Sequence, residues 1–108
     1  MTTMTGGEVI AQMLKKEGVE KVFGIIDGTY FGLYSNFAPC GINLITPRHE
    51  ATAAHMAGAY ARLTGKLGVC IASSGPGAAN VLAGVAAENA EGNRVLLITS
   101  SRRRGITY

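Results

Sequence analysis

The chain has 108 residues, 47% of them hydrophobic, and a formal net charge of +3. That length leaves room for one small domain, and that composition excludes a disordered chain. The surplus charge resides in Arg102, Arg103 and Arg104, without which acidic and basic residues balance. A nucleic-acid-binding stripe is therefore not expected, and the arginines read as a solvated tail or a segment that packs on something else.

In chain order, Thr5-Gly6-Gly7-Glu8 reads as a capping box that opens a helix. Val9, Ile10, Met13 and Leu14 follow at helical spacing, and Gly18 is a natural stop. Residues 22–26 form a short apolar run, read as a buried strand and broken by Asp27-Gly28. A short helix is expected over 29–38 and a second strand over 42–46, ended by Pro47. The alanine-rich stretch 49–64 predicts the clearest helix, with Gly65 as its stop. A third strand over 67–72 runs into Ser73-Ser74-Gly75-Pro76-Gly77. A helix over 77–91 ends at Gly92, and a fourth strand covers 95–99.

Strands alternating with helices predict an α/β fold of three layers, with a parallel sheet between helices and strands buried on both faces. No run approaches the roughly 18 apolar residues of a membrane span. Met1-Thr2-Thr3-Met4-Thr5 has no basic and apolar leader pattern, so the cytoplasm is the expected compartment. Cys40 and Cys70 have neither metal-ligand spacing nor flanking histidines; Cys70 reads as core and Cys40 as part of a loop.

Two corners carry the functional signal. Arg48-His49-Glu50 closes one strand and opens a helix, and Ser73 to Gly77 does the same one unit later. Both belong at the carboxyl ends of parallel strands, where open α/β sheets bind ligands. Each also has a plain structural reading. Glu50 alone suits a helix start, where the dipole favours a carboxylate. His49 and His55 read as structural or solvated, and Pro76 as a first-turn proline. The glycines match neither a Walker loop nor GxGxxG, which disfavours a phosphate cradle. Asp27 reads as a helix cap, and Tyr30, Phe31, Tyr34 and Phe37 as core or interface.

In this order, Thr5 to Glu8, Glu17 to Gly24, Arg48-His49-Glu50, Gly58 to Lys66 and Ser74 to Asn80 resemble the N-terminal pyrimidine-binding domain of thiamine-diphosphate enzymes of the acetolactate synthase and 2-oxo-acid decarboxylase family. The resemblance runs from Thr5 to Thr99 and implies the strand order 2-1-3-4. It implies that Glu50 is catalytic, hydrogen-bonding N1′ of the cofactor's aminopyrimidine and promoting the proton shift that activates C2 of the thiazolium. It also implies a cofactor-binding set of Ile26, Asp27, Gly28, Glu50, Ser73, Ser74, Gly75, Pro76 and Asn80. Asn80 reads equally as a helix cap or as a polar contact.

The cofactor implied is thiamine diphosphate, with its magnesium ion held by a separate diphosphate-binding domain of another subunit. A homo-oligomer acting on a 2-oxo acid is the expected setting, without nucleic acid or membrane. On this reading residues 1–108 are one partial pyrimidine-binding domain, inactive alone: a truncated fragment or a separate small subunit. Three departures narrow the branch. Ile25-Ile26-Asp27 stands where the family often has a Pro-Gly turn, and Ser100-Ser101 where many synthases have Gly-Gln. The paired histidines of pyruvate-decarboxylase-like enzymes are missing near Ala72-Ser73. That leaves the synthase or ligase branch, or one like phosphonopyruvate or sulfopyruvate decarboxylase. Two competing readings are a non-catalytic interaction module that associates through an exposed sheet edge and, ranked last, a flavodoxin-like nucleotide binder.

Overall fold

The computed structural model describes residues 3–101 and Gly105; Arg102 to Arg104 lie outside the described residues. Helix α1 (Gly6–Lys16) starts at the expected capping box. The Thr5 hydroxyl accepts from the Glu8 amide at 3.2 Å, and the Glu8 carboxylate accepts from the Thr5 amide at 2.6 Å. Strand β1 (Lys21–Ile25) follows.

The single helix expected over 29–38 is instead a broken segment. A 3-10 turn (Gly28–Tyr30) leads into one turn of helix, α2 (Phe31–Tyr34), and a second 3-10 turn (Ala38–Cys40) precedes Gly41. The cause is local. The Asn36 side chain donates to the Gly32 carbonyl at 2.8 Å, and Pro39 has no N–H to extend a helix. The second turn buries Phe37 and Cys40, so Cys40 belongs to the core rather than to an open loop.

Strand β2 (Asn43–Ile45), helix α3 (Glu50–Thr64), strand β3 (Gly68–Ala72), helix α4 (Pro76–Ala90) and strand β4 (Val95–Thr99) complete the described chain. The sheet is parallel throughout, in the order β2-β1-β3-β4, as expected. Phe23 pairs with Cys70 and Ile25 with Ala72, which aligns the carboxyl ends of β1 and β3.

Side-chain alternation sorts the core into two layers. Val22, Val69 and Ile71 pack with Ala11, Leu14, Leu33 and Phe37 on the α1–α2 face. Phe23, Cys70 and Ala72 pack with Ala53, Ala54, Ala57 and Val81 on the α3–α4 face. Burial pushes the Cys70 thiol up to about 11, as suits a core residue. Only β3 is buried along its whole length. The edge strands β2 and β4 are not covered on both faces: Asn43 is exposed, and Leu96 is 40% exposed. Leu96 lies in an apolar groove of about 270 Å³ with Ile10, Met13, Leu14, Leu67 and Ile98. Among the described residues, no helix is long and apolar enough to cross a membrane.

Candidate functional site

The carboxyl edge of the sheet gathers the segment after β1, the segment after β3, and the first turns of α3 and α4. The connection from β1 leads out to β2, and the next returns past β1 to β3. The chain thus reverses direction between β1 and β3, which opens a crevice at their carboxyl ends.

Glu50 is the first residue of α3, where the helix dipole favours its charge. His49 caps that helix, its Nδ1 accepting from the Ala51 amide at 3.1 Å, which makes it structural as expected. Glu50 is half-buried. Its Oε2 accepts from Asn80 Nδ2 at 3.2 Å, so Asn80 is a polar contact and not a cap. Its Oε1 lies 3.6 Å from the place a Cβ on Gly77 would take. That same place is 3.2 Å from the Ser73 Cβ. The glycine therefore leaves room between the acid and the end of β3. Gly75 adopts φ +66° just before α4, a left-handed conformation that turns the chain into the helix, and Pro76 takes the first helical position.

Across the crevice, Asp27 accepts from the Thr29 amide at 2.9 Å and from the Thr29 hydroxyl. These two donors, aided by the Ser73 hydroxyl, hold its carboxyl below the ordinary aspartate range. Asp27 is exposed at the same edge of the sheet. Tyr30, read from the sequence as core or interface, ties the two sides together. Its buried hydroxyl donates to the Ala72 carbonyl at 2.6 Å. Burial raises its pKa.

The structure thus brings together Glu50, Ser73, Gly77 and Asn80, with Asp27 at the same edge of the sheet. Ser74 is half-buried and Gly28 exposed at the same edge, whereas Ile26 packs against the α1–α2 core. Ser100, which with Ser101 stands where many synthases have Gly-Gln, was not expected to line the site; its hydroxyl is buried without a partner among the described residues.

An acceptor fixed on one oxygen, with its other oxygen beside a missing side chain, fits the edge of a flat heterocycle that carries an N–H donor. Among the described residues, no three acidic, histidine or cysteine side chains group closely enough to hold a metal ion. The residues present fit the pyrimidine half of thiamine diphosphate.

Comparison with known proteins agrees. Residues 4–108 match the family described as thiamine pyrophosphate enzyme, N-terminal TPP binding domain. The catabolic acetolactate synthase of Raoultella terrigena is 38% identical over 99 residues, which cover 92% of this chain and 18% of that protein. The acetolactate synthase large subunit of Haemophilus influenzae is 44% identical over 86 residues, covering 79% of this chain and 15% of that protein. The sulfoacetaldehyde acetyltransferase of Alcaligenes xylosoxydans xylosoxydans is 40% identical over 96 residues, covering 89% and 16%. The chain spans less than a fifth of the length of these relatives. It belongs to the thiamine pyrophosphate enzymes, through their N-terminal TPP binding domain.

Proposed function

We propose that this chain binds the aminopyrimidine of thiamine diphosphate in the crevice between β1 and β3, as part of an acetolactate synthase-like enzyme that decarboxylates or joins 2-oxo acids. The observation that carries the reading is the setting of Glu50, with Asn80 on one oxygen and the Gly77 gap beside the other. Glu50 hydrogen-bonds ring nitrogen N1′ through its carboxyl group and shares a proton with it. Asn80 holds the carboxylate so that Oε1 stays free for that task. Ser73, Ser74, Gly75 and Pro76 form one wall of the pyrimidine pocket, and Asp27 and Gly28 form the other, with Ile26 anchoring that wall to the core behind it.

When bound, the cofactor supplies the nucleophilic carbon and electron sink of 2-oxo-acid chemistry. Its diphosphate and magnesium ion fall to a domain of another subunit, in keeping with the absence of a metal-binding cluster among the described residues. The working assembly is then a homo-oligomer in the cytoplasm, and the 108 residues act as one pyrimidine-binding unit, inactive alone.

The test is a titration of the ¹⁵N-labelled chain with thiamine diphosphate, magnesium and a diphosphate-binding domain from a related synthase. Signals of Glu50, Ser73 to Gly77 and Asn80 should shift together. Shifts confined to the α1–β4 groove, or none at all, would refute the proposal. The groove and the edge of β4, which has no further strand beside it among the described residues, favour a second reading, a non-catalytic module that self-associates. Dimers in size-exclusion chromatography without cofactor, combined with a failed titration, would favour it.

A further inference from the structure

The contact between α3 and α4 carries a stripe that the cofactor reading leaves unused beyond its first residue. On α4 the stripe runs through Asn80, Gly84 and Glu88, successive neighbours on one face. Asn80 reaches Glu50. At Gly84 the helices touch backbone to backbone: a Cβ there would stand 2.6 Å from the Ala51 carbonyl oxygen and 2.8 Å from the Ala54 Cβ. Glu88 is the one buried charged residue among those described, at 8% exposure. Its Oε1 pairs with His55 Nδ1 at 2.7 Å, and its Oε2 accepts from Asn93 Nδ2 at 2.6 Å. A Cβ on Gly58 would overlap its carboxylate.

A buried carboxylate is costly unless every lone pair it turns inward is matched. Asn93, just past α4, matches Oε2; Oε1 is matched only if His55 faces Glu88, and the carboxylate has room only if the bare backbone of Gly58 lies beside it. A slide of α3 by one turn would leave the acid against alanine. We propose that Glu88 is a positioning residue for Glu50. Its ties to His55 and Gly58 lock the α3–α4 register, and that register delivers the Asn80 amide to Glu50 Oε2, two turns toward the N-termini. The consequence for the reaction rests on Glu50 being the pyrimidine acceptor; the geometry does not.

The test uses the 108-residue chain without cofactor. It follows the ¹³C carboxyl signal of Glu50 and the side-chain amide pair of Asn80 by NMR. Glu88→Ala and the milder His55→Ala should shift the Glu50 carboxyl signal and move the Asn80 pair to the position of a free asparagine. Glu88→Gln keeps an acceptor for His55 and should restore both signals. Leu33→Ala, a cavity on the opposite face of the sheet, should lower the melting temperature and leave both signals in place. If Glu88→Ala does not fold, the comparison of His55→Ala with Glu88→Gln decides. Unmoved signals in the folded alanine variants, or equal movement in Leu33→Ala, would overturn the proposal. With no cofactor in the sample, that failure would count against Glu88 alone; the titration of the parent chain judges the cofactor reading.

Discussion

At the scale of single residues, one side-chain hydrogen bond joins the segment after β1 to the end of β3. It is the buried bond from the Tyr30 hydroxyl to the Ala72 carbonyl. Tyr30→Phe leaves that carbonyl unpaired inside the protein, at a cost of about 1–3 kcal/mol. Urea unfolding should show this loss, and an unchanged midpoint would mean that water replaces the phenol. The sequence pointed to Glu50 and to the turn at Ser73 to Gly77, because a strand-to-helix corner has a local signature. Tyr30 was harder to read. Its partner lies 42 positions away, and an aromatic residue after a strand looks the same whether it packs or bonds.

At the scale of elements, α3 and α4 form the platform of the site. Alanines and glycines at their contact let two parallel helices approach closely enough for Asn80 to reach Glu50. Gly84→Val places methyl groups where the Ala51 carbonyl and the Ala54 methyl already stand. Overpacking of this kind costs about 1–3 kcal/mol. The melting temperature should fall, and the Asn80 side-chain signal should lose its bonded position. Retention of both would show that the helices separate freely. Helices α3 and α4 were legible almost to the residue, since glycine and proline mark their ends. The segment over 29–38 was not, because its aromatic spacing suits a helix while Asn36 and Pro39 break it. Glu88 left only a faint trace, an acid in step with Asn80 and Gly84 on a face otherwise made of small residues.

At the scale of the whole molecule, acid should loosen the fold through Glu88. The hydrogen bond from His55, then that from Asn93, holds its carboxyl below the ordinary glutamate range. A carboxyl depressed in the folded state stabilises fully above its unfolded value, and this contribution is lost as pH falls through the folded value. Thermal unfolding followed from neutral pH downward should therefore show a drop that begins around the ordinary glutamate value and is complete only below the depressed one. Glu88→Gln should flatten this acid limb; an unchanged limb would assign the drop to other groups, Asp27 among them. Sheet order was legible because alternating elements and right-handed crossovers leave few arrangements. The half-covered state of β4 was not, since its apolar residues look the same whether or not a layer lies over them. The crevice itself is best judged by the proton at C2 of thiamine diphosphate. The chain is mixed with a diphosphate-binding domain, cofactor and magnesium, and exchange of that proton is timed in the parent and in Glu50→Gln. General acid–base help of this kind is worth about 10²–10⁴-fold, so the variant should exchange slower by that order. Exchange as fast as in the parent would mean that Glu50 takes no part in activating the cofactor.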